Sequence, residues 1–463
     1  MAGHDETRED SLRAPAVRRP ATAGVIVLWE AGRAAAAALP LGPKGIEIGR
    51  GSHGVLQEDE RVSRRHVQIE RQSSGAWQIE DLGSRNGTFV NGQPLRGADV
   101  FSAPPLVRIG RSLLWAVEDV SPFAGSPPPT ARPVDAPAAA PVLGGLLRRV
   151  WGEIVLASRS GDTLCVEGES GSGKELAARA FHEARHGSSS TAPFVAVNCA
   201  AIPEGLAERL LFGAKKGAYS GAVADVEGYV QAAHQGTLFL DEIAELDPLV
   251  QAKLLRVLES REVMPLGASR SRKVELAVCV ASHKSLRDEV QGGRFREDLY
   301  FRLGRPEVKL PPLRERIDEI PWLVARELRG VDDRLTASVG FVEAAALRAW
   351  PGNVRELLQE IRRAAHRALA ERVLVLEPAH LSAGAGTPLG SPQPSPAPAR
   401  PPSQSPSAPA APLGDEEIAR ALAENGGNVR GTARALGMHR NQLRRWLEKH
   451  PSLAATSKGE DED

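Results

Sequence analysis

Hydrophobic and polar positions change rhythm along the chain. From residue 24 to 120, short runs alternate residue by residue, as in Val67-Gln68-Ile69-Glu70 and Trp77-Gln78-Ile79-Glu80, and Gly, Asn and Ser punctuate them. A period of two with frequent turns predicts a β-sandwich. From 142 to 383 the pattern changes. Apolar runs at Thr163–Val166, Thr237–Leu240 and Leu276–Ala281 alternate with longer amphipathic segments such as Leu249–Leu258, which predicts a mostly parallel sheet covered by helices. From 413 to 450 only helical spacing is visible, so this last part is expected to be all-α.

Composition supplies the boundaries. Residues 121–141 are dense in Pro and Ala, and residues 384–412 hold little but Pro, Ser, Ala and Gly. Both read as extended linkers. The 463 residues exceed what one core supports, in keeping with a multidomain chain. Lys and Arg number 58, as do Asp and Glu, so any DNA contact must come from a local patch. No apolar run reaches the ~20 residues of a membrane span, and Met1–Arg19 lacks a signal-peptide core, so a cytoplasmic location without membrane contact is expected. Cys165, Cys199 and Cys279 are widely spaced in apolar segments and read as buried small hydrophobes.

The chemistry concentrates in the middle part. Gly168-Glu169-Ser170-Gly171-Ser172-Gly173-Lys174 follows an expected strand and opens an expected helix. Glycines let backbone N–H groups converge on phosphate oxygens, and Lys174 brings a cation to the β and γ phosphates of ATP. Glu175 stands where such loops usually carry a hydroxyl ligand for Mg²⁺. Leu238-Phe239-Leu240-Asp241-Glu242 is an apolar strand ending in two carboxylates. Asp241 is expected beside the magnesium, through a bound water, and Glu242 where it can polarise an attacking water.

With these motifs in hand, residues 142–383 resemble the AAA+ ATPase module of sigma-54-dependent enhancer-binding proteins. The resemblance implies that Asn198 is the switch asparagine acting on the catalytic glutamate. It also implies that Arg296 and Arg302, in Gly293–Leu303, reach the ATP of a neighbouring subunit in a homo-oligomeric, hexameric ring. Arg355, in Trp350-Pro351-Gly352-Asn353-Val354-Arg355-Glu356-Leu357, is implied as the sensor arginine of a helical lid. Gly217-Ala218-Tyr219-Ser220-Gly221-Ala222 resembles the family's coupling loop, which presents an aromatic tip to the sigma factor of the RNA polymerase holoenzyme. Here Tyr and Ser stand for the usual Phe and Thr, Lys215 for Glu, and His283 for the sensor asparagine; imidazole can still donate a hydrogen bond to phosphate.

Two further resemblances flank this module. Gly49-Arg50, Ser63-Arg64-Arg65-His66 and Ser84-Arg85-Asn86-Gly87-Thr88 resemble a forkhead-associated (FHA) domain. Arg50, Ser63 and Arg64 are thereby implied to meet a phosphothreonine, Arg85 and Asn86 the peptide beside it, and His66 to brace the loops. Asn428–Leu447 resembles a Fis-type helix-turn-helix broken at Gly437, with Ala433, Leu436, Met438, Leu443 and Leu447 packed between its helices. Arg440, Gln442 and Arg444, with His439 beside them, would face the major groove of enhancer double-stranded DNA, and Arg430 and Arg445 its phosphates. The expected function is an ATP-driven activator of sigma-54 RNA polymerase, controlled through a phosphothreonine-containing protein. The alternatives are a phosphopeptide-binding DNA regulator with an uncoupled ATPase, and an AAA+ remodeller of another protein.

Overall fold

The computed structural model describes residues 21–124, 141–203, 205–219 and 223–388, and, of the C-terminal part, 415–425, 428–436, 443, 446, 447 and 450. The chain separates into two compact units, the first ending at Gln393. Most of both Pro-rich stretches lies outside the described residues.

The first unit opens with ten strands: β1 (Gly24–Glu30), β2 (Arg33–Pro40), β3 (Ile46–Ile48), β4 (Val67–Arg71), β5 (Trp77–Asp81), β6 (Thr88–Val90), β7 (Gln93–Pro94), β8 (Ala98–Phe101), β9 (Leu106–Ile109) and β10 (Ser112–Val117). They form two antiparallel sheets, β2-β1-β10-β9-β6-β7 and β3-β4-β5-β8. Alternate residues of facing strands, among them Val25, Val27, Ile48, Ile69, Trp77, Ile79, Val107 and Leu114, fill the space between the sheets.

An α/β layer follows: α1 (Gly145–Ser160), β11 (Thr163–Glu167), α2 (Lys174–His186), β12 (Phe194–Asn198), α3 (Ala207–Phe212), α4 (Tyr229–Ala232), β13 (Thr237–Asp241), α5 (Pro248–Ser260), a hairpin of β14 (Glu262–Val263) and β15 (Arg272–Lys273), β16 (Ala277–Ser282), α6 (Leu286–Gln291), α7 (Glu297–Leu303) and β17 (Glu307–Lys309). The sheet is parallel, in the order β12-β13-β16-β11-β17. All six residues of β16 are buried, as a central parallel strand covered on both faces requires. Cys165, Cys199 and Cys279 are buried free thiols, and desolvation pushes Cys165 and Cys199 up to about 12.

A helical lid completes this unit, with α8 (Ile320–Val331), α9 (Val339–Ala346) and α10 (Asn353–Ala370). The sandwich is packed on the lid. β1 is buried on both faces: Val25 and Val27 point into the sandwich, while Ile26, Leu28 and Trp29 share one apolar cluster with Leu323, Val324, Phe341, Val342 and Trp350. Phe123, within the stretch whose composition reads as linker, is buried in the same cluster and lies edge-on to Trp115 at 6.1 Å. Glu343 of α9 closes the edge of this interface. Its carboxylate accepts from Arg108 Nε at 2.6 Å and from Gly92 N at 3.1 Å, and the Arg108 guanidinium lies 3.8 Å from the Phe89 ring centroid.

Replacing Glu343 by Ala strands a half-buried guanidinium and a backbone N–H. One-sided removal of a buried ion pair costs about 3–5 kcal/mol, and partial exposure of Arg108 places the expected loss near the lower end. Denaturant unfolding followed by tryptophan fluorescence reads this as a lowered midpoint. A parent-like midpoint would show that the pair contributes nothing to docking.

In the second unit, α11 (Asp415–Glu424) and α12 (Val429–Ala435) pack through Ile418, Leu422 and Ala433, joined by Leu443 and Leu447. The stretch from Asn428 to Leu447 is therefore preceded by a further helix, α11, whose Ile418 and Leu422 complete the small core.

Candidate nucleotide site and recognition loops

β11 ends at Glu167, the chain turns through the glycine-rich loop, and α2 starts at Lys174. Two of the glycines are set by geometry. Gly173 has φ 107°, open to glycine and strained for other residues, and a Cβ on Gly171 would lie 2.2 Å from the carbonyl oxygen of Gly352 in the lid. The loop and the lid thus touch backbone to backbone. Asn353 ties them further: its Oδ1 accepts from Leu313 N at 2.7 Å, and its Nδ2 donates to Glu169 Oε2 at 3.0 Å and to the Ser170 carbonyl at 3.1 Å. Arg314 makes a two-point contact with Glu169, which holds that carboxyl below its usual range despite partial burial.

The cleft between loop, strand ends and lid measures about 340 Å³ and is lined by residues that include Ser170–Leu176, Asn198, Asp241, Glu242 and Arg355. Parallel pairing sets Asn198 beside Asp241 at the ends of β12 and β13. The Lys174 ammonium is nearly buried and donates to the Gly168 carbonyl at 3.0 Å and to Glu242 Oε1 at 3.1 Å. Glu242 Oε2 lies 2.5 Å from His283 Nδ1 and accepts from His283 N at 3.2 Å. Burial pushes Glu242 upward, but the His283 hydrogen bond and the Lys174 charge outweigh it and hold the carboxyl below its usual range. Asp241 moves the other way: burial raises it against the pull of Lys174, and the Glu242 charge adds to the rise.

Asn198 Oδ1 accepts from Ala200 N at 3.0 Å, so the glutamate's side-chain partners here are Lys174 and His283. Arg355 Nη1 comes within 3.4 Å of Ser170 Oγ at the cleft mouth. Glu175 pairs with Arg179 one turn along α2. The donor set fits a magnesium nucleotide: a lysine and loop N–H groups for phosphate, two carboxylates at the strand end, and a buried Ser172 Oγ with no hydrogen-bond partner among the described residues. Spacing alone had not singled out Asn353, Arg314, Arg316 and Glu319. Arg316 and Glu319 form a buried pair behind the loop, where desolvation raises the Glu319 carboxyl and the Arg316 charge opposes that rise. The Leu313–Glu319 stretch carries a dense run of charge between apolar residues, which was the available signal.

Arg296 and Arg302 do not line this cleft. Arg296 is exposed and paired with Asp298; Arg302 donates to the Leu258 carbonyl at 3.2 Å. In the loop at residues 217–222, Gly217, Ala218 and Tyr219 are described, whereas Ser220, Gly221 and Ala222 lie outside the described residues. The Tyr219 hydroxyl accepts from Arg209 Nη1 at 2.7 Å, and Lys215 pairs with Asp225. A second segment braces the loop's base: Lys215 N donates to the Leu266 carbonyl at 2.9 Å, and Gly267 abuts Ala218.

On the sandwich, the loops after β3, before β4 and before β6 come together. Arg50 N donates to the Ser63 carbonyl at 2.9 Å, Arg85 N to Ser63 Oγ at 3.1 Å, and Asn86 Nδ2 to the Arg61 carbonyl at 2.7 Å. Because Ser63 Oγ accepts here, its own hydrogen is free for another acceptor. Arg50, Arg64 and Arg85 are exposed. His66 is fully buried: Nδ1 accepts from Ser63 N at 3.0 Å, which leaves Nε2–H to donate to the Gly87 carbonyl at 3.2 Å. Desolvation lowers its pKa, in keeping with this neutral tautomer. At the other end of the chain, the Arg430 side chain and residues His439, Arg440, Gln442, Arg444 and Arg445 lie outside the described residues.

The fold and cleft define the class: an AAA+ P-loop module with a helical lid, between an FHA sandwich and a small helical domain. Residues 145–309 match the family model described as the Sigma-54 interaction domain, residues 46–103 the FHA domain, and residues 415–450 the Fis family of bacterial regulatory proteins. Residues 145–309 thus belong to the sigma-54 interaction domain family. It is 39% identical over 306 residues to the transcriptional regulatory protein ZraR of Klebsiella oxytoca, covering 64% of this chain and 66% of that one. To the hydrogenase transcriptional regulatory protein HoxA of Bradyrhizobium diazoefficiens it is 41% identical over 316 residues, 66% of this chain and 64% of HoxA. The chain thus spans just under two thirds of these relatives' length. The crystal structure of NtrX from Brucella abortus in complex with ATP is similar at 25% identity and a TM-score of 0.46, over 69% of both chains. No helix among the described residues is long and apolar enough to cross a membrane.

Proposed function

We propose that this protein hydrolyses ATP in a homo-oligomeric ring and spends the energy on remodelling the closed promoter complex of sigma-54 RNA polymerase. The observation that carries the reading is the cleft itself, where Lys174, Asp241, Glu242 and Arg355 meet between sheet and lid. Lys174, Arg355 and the loop N–H groups would bind and orient the triphosphate. Asp241 would hold magnesium through a water, and the ion when bound supplies charge neutralisation at the phosphates. Glu242 would take a proton from the attacking water. A ring accounts for two features of α7 and its N-cap: Arg296 at the cap and Arg302 in the helix lie outside their own cleft, and Phe301 between them is 68% exposed. The coupling loop, Gly217–Ala222, would meet the sigma factor, and the C-terminal domain would hold the assembly at enhancer DNA through Arg430, His439, Arg440, Gln442, Arg444 and Arg445.

The test is open-complex formation by the purified chain at a sigma-54 promoter. Opening is expected with ATP and absent without it; ATP turnover with no opening at any promoter of this class would remove the remodelling reading.

The sandwich is the proposed input. A phosphothreonine offers two negative charges and three acceptor oxygens, which Arg50, Ser63 and Arg64 would bind, with Arg85 and Asn86 beside the peptide. Arg50→Ala is expected to weaken phosphopeptide binding roughly 10- to 100-fold, the value of one charge-assisted hydrogen bond, without unfolding the domain. Calorimetry with matched phosphorylated and unmodified peptides from a degenerate library checks this, and equal affinity for the two forms would end the sensor reading.

A further inference from the structure

Behind the phosphate loop sits a guanidinium with almost no access to solvent. Arg316 is 1% exposed; its Nη1 donates to Glu319 Oε2 at 2.9 Å and its Nη2 to the Ser172 carbonyl at 3.1 Å. Glu319, equally buried, accepts from Gly144 N at 2.9 Å through its other oxygen, and Asp318 accepts from Gly145 N at 2.9 Å. Three segments therefore meet at one point: the phosphate loop, the start of α1 and the short turn, residues 316–319, that leads into α8. Arg316 and Glu319 both border the nucleotide cleft.

The carbonyl that Arg316 holds belongs to the peptide joining Ser172 to Gly173. A trans peptide is planar, with C=O and N–H pointing in opposite directions, so fixing the oxygen fixes the direction of the Gly173 N–H. That peptide is otherwise easy to turn over, because glycine at position 173 tolerates either sign of φ. The loop binds phosphate only if its N–H groups converge, and a flipped peptide would present an oxygen to an anion instead. From this geometry we infer that Arg316 is a positioning residue for the nucleotide: by gripping the Ser172 carbonyl it aims the Gly173 N–H into the phosphate cradle, and through Glu319 it ties that setting to α1 and the lid. Stability alone does not explain the pair, since well-packed apolar side chains in place of a buried ion pair commonly leave a protein as stable or more so.

The inference rests on the reading of the cleft as an ATP site, and the experiment separates the two. In the full chain, Arg316→Met combined with Glu319→Gln removes the charge pair and keeps its volume, while the glutamine still accepts from Gly144 N. The expected result is a thermal midpoint close to the parent's, a Kd for Mg-ATP raised about 10- to 100-fold, a KM raised in step and a kcat within a few-fold of the parent's, the signature of lost ground-state binding. Arg316→Lys is the second variant. A point charge can neutralise Glu319 but lacks the planar fork that also spans to Ser172, so it should fold and still bind ATP more weakly. Parent-like ATP affinity in either folded variant overturns the inference. If the parent chain binds no ATP, or Lys174→Ala binds it as well as the parent, the ATP-site reading itself has failed.

Discussion

Glu242→Gln is expected to leave ATP bound and to slow its turnover by roughly 10²- to 10⁴-fold, the usual contribution of a positioned general base. Glutamine fills the same volume and its carbonyl can still accept one hydrogen bond, so the cleft should keep its shape. What is lost is basicity. The carboxyl lies below its usual range and is therefore ionised throughout the neutral region, but it is engaged by Lys174 and by His283. Phosphate drawn into the loop competes for Lys174, which would release one carboxylate oxygen toward water while His283 keeps the other oriented. The same shift sets the pH dependence. A base with a lowered pKa stays active as pH falls through the ordinary carboxylate range, and its activity is lost only below that range. Binding of a fluorescent ATP analogue and phosphate release, measured side by side, separate the two steps. Turnover in Glu242→Gln within a few-fold of the parent would show that another group activates the water.

The site was legible where local geometry forces residue choice. Gly171 and Gly173 sit where a close approach and a positive φ demand glycine, and Asp241 ends an apolar strand, so a reader of sequence finds them without knowing the fold. Arg316 was not legible. Its partners are Ser172, 144 residues earlier, and Glu319, one turn later, and a lone Arg-Glu spacing of three is usually a solvated helix face. The docking of the sandwich on the lid was hidden for a related reason. Alternation along β4 and β5 signals strands with one wet face, and the same pattern is expected of a whole sandwich. Val25-Ile26-Val27-Leu28-Trp29 breaks that alternation, and an unbroken apolar run is the mark of a strand buried on both sides. Phe123 carries the same message in a stretch whose Pro and Ala otherwise read as linker. Composition describes the average of a segment, whereas docking depends on a single side chain in it.

Arg296→Ala and Arg302→Ala are each expected to lower turnover by about 10³- to 10⁵-fold, the range known for an arginine supplied to a phosphoryl-transfer site. The structure separates this effect from damage to the subunit. Gln251, fully buried in α5, accepts from Arg296 N at 2.9 Å and donates to the Leu246 and Arg294 carbonyls, so the backbone bearing Arg296 is held independently of its side chain. Among the described residues the Arg296 guanidinium reaches Asp298 alone, in an exposed pair that adds little to folding. Arg302 also donates to the Leu258 carbonyl near the end of α5, so its alanine variant should show a somewhat lower thermal midpoint where Arg296→Ala shows none. Neither arginine lines its own cleft, and a defect in trans is diagnosed by mixing. Lys174→Ala chains lack a working cleft but keep their arginines; Arg296→Ala chains have the reverse. In a mixed ring some interfaces pair an intact cleft with an intact arginine, and hydrolysis should return in proportion to their number. Turnover should also rise with protein concentration as rings form. Mixtures that co-assemble, shown by pull-down of one tagged chain with the other, and yet never hydrolyse ATP would show that α7 does not supply the arginine.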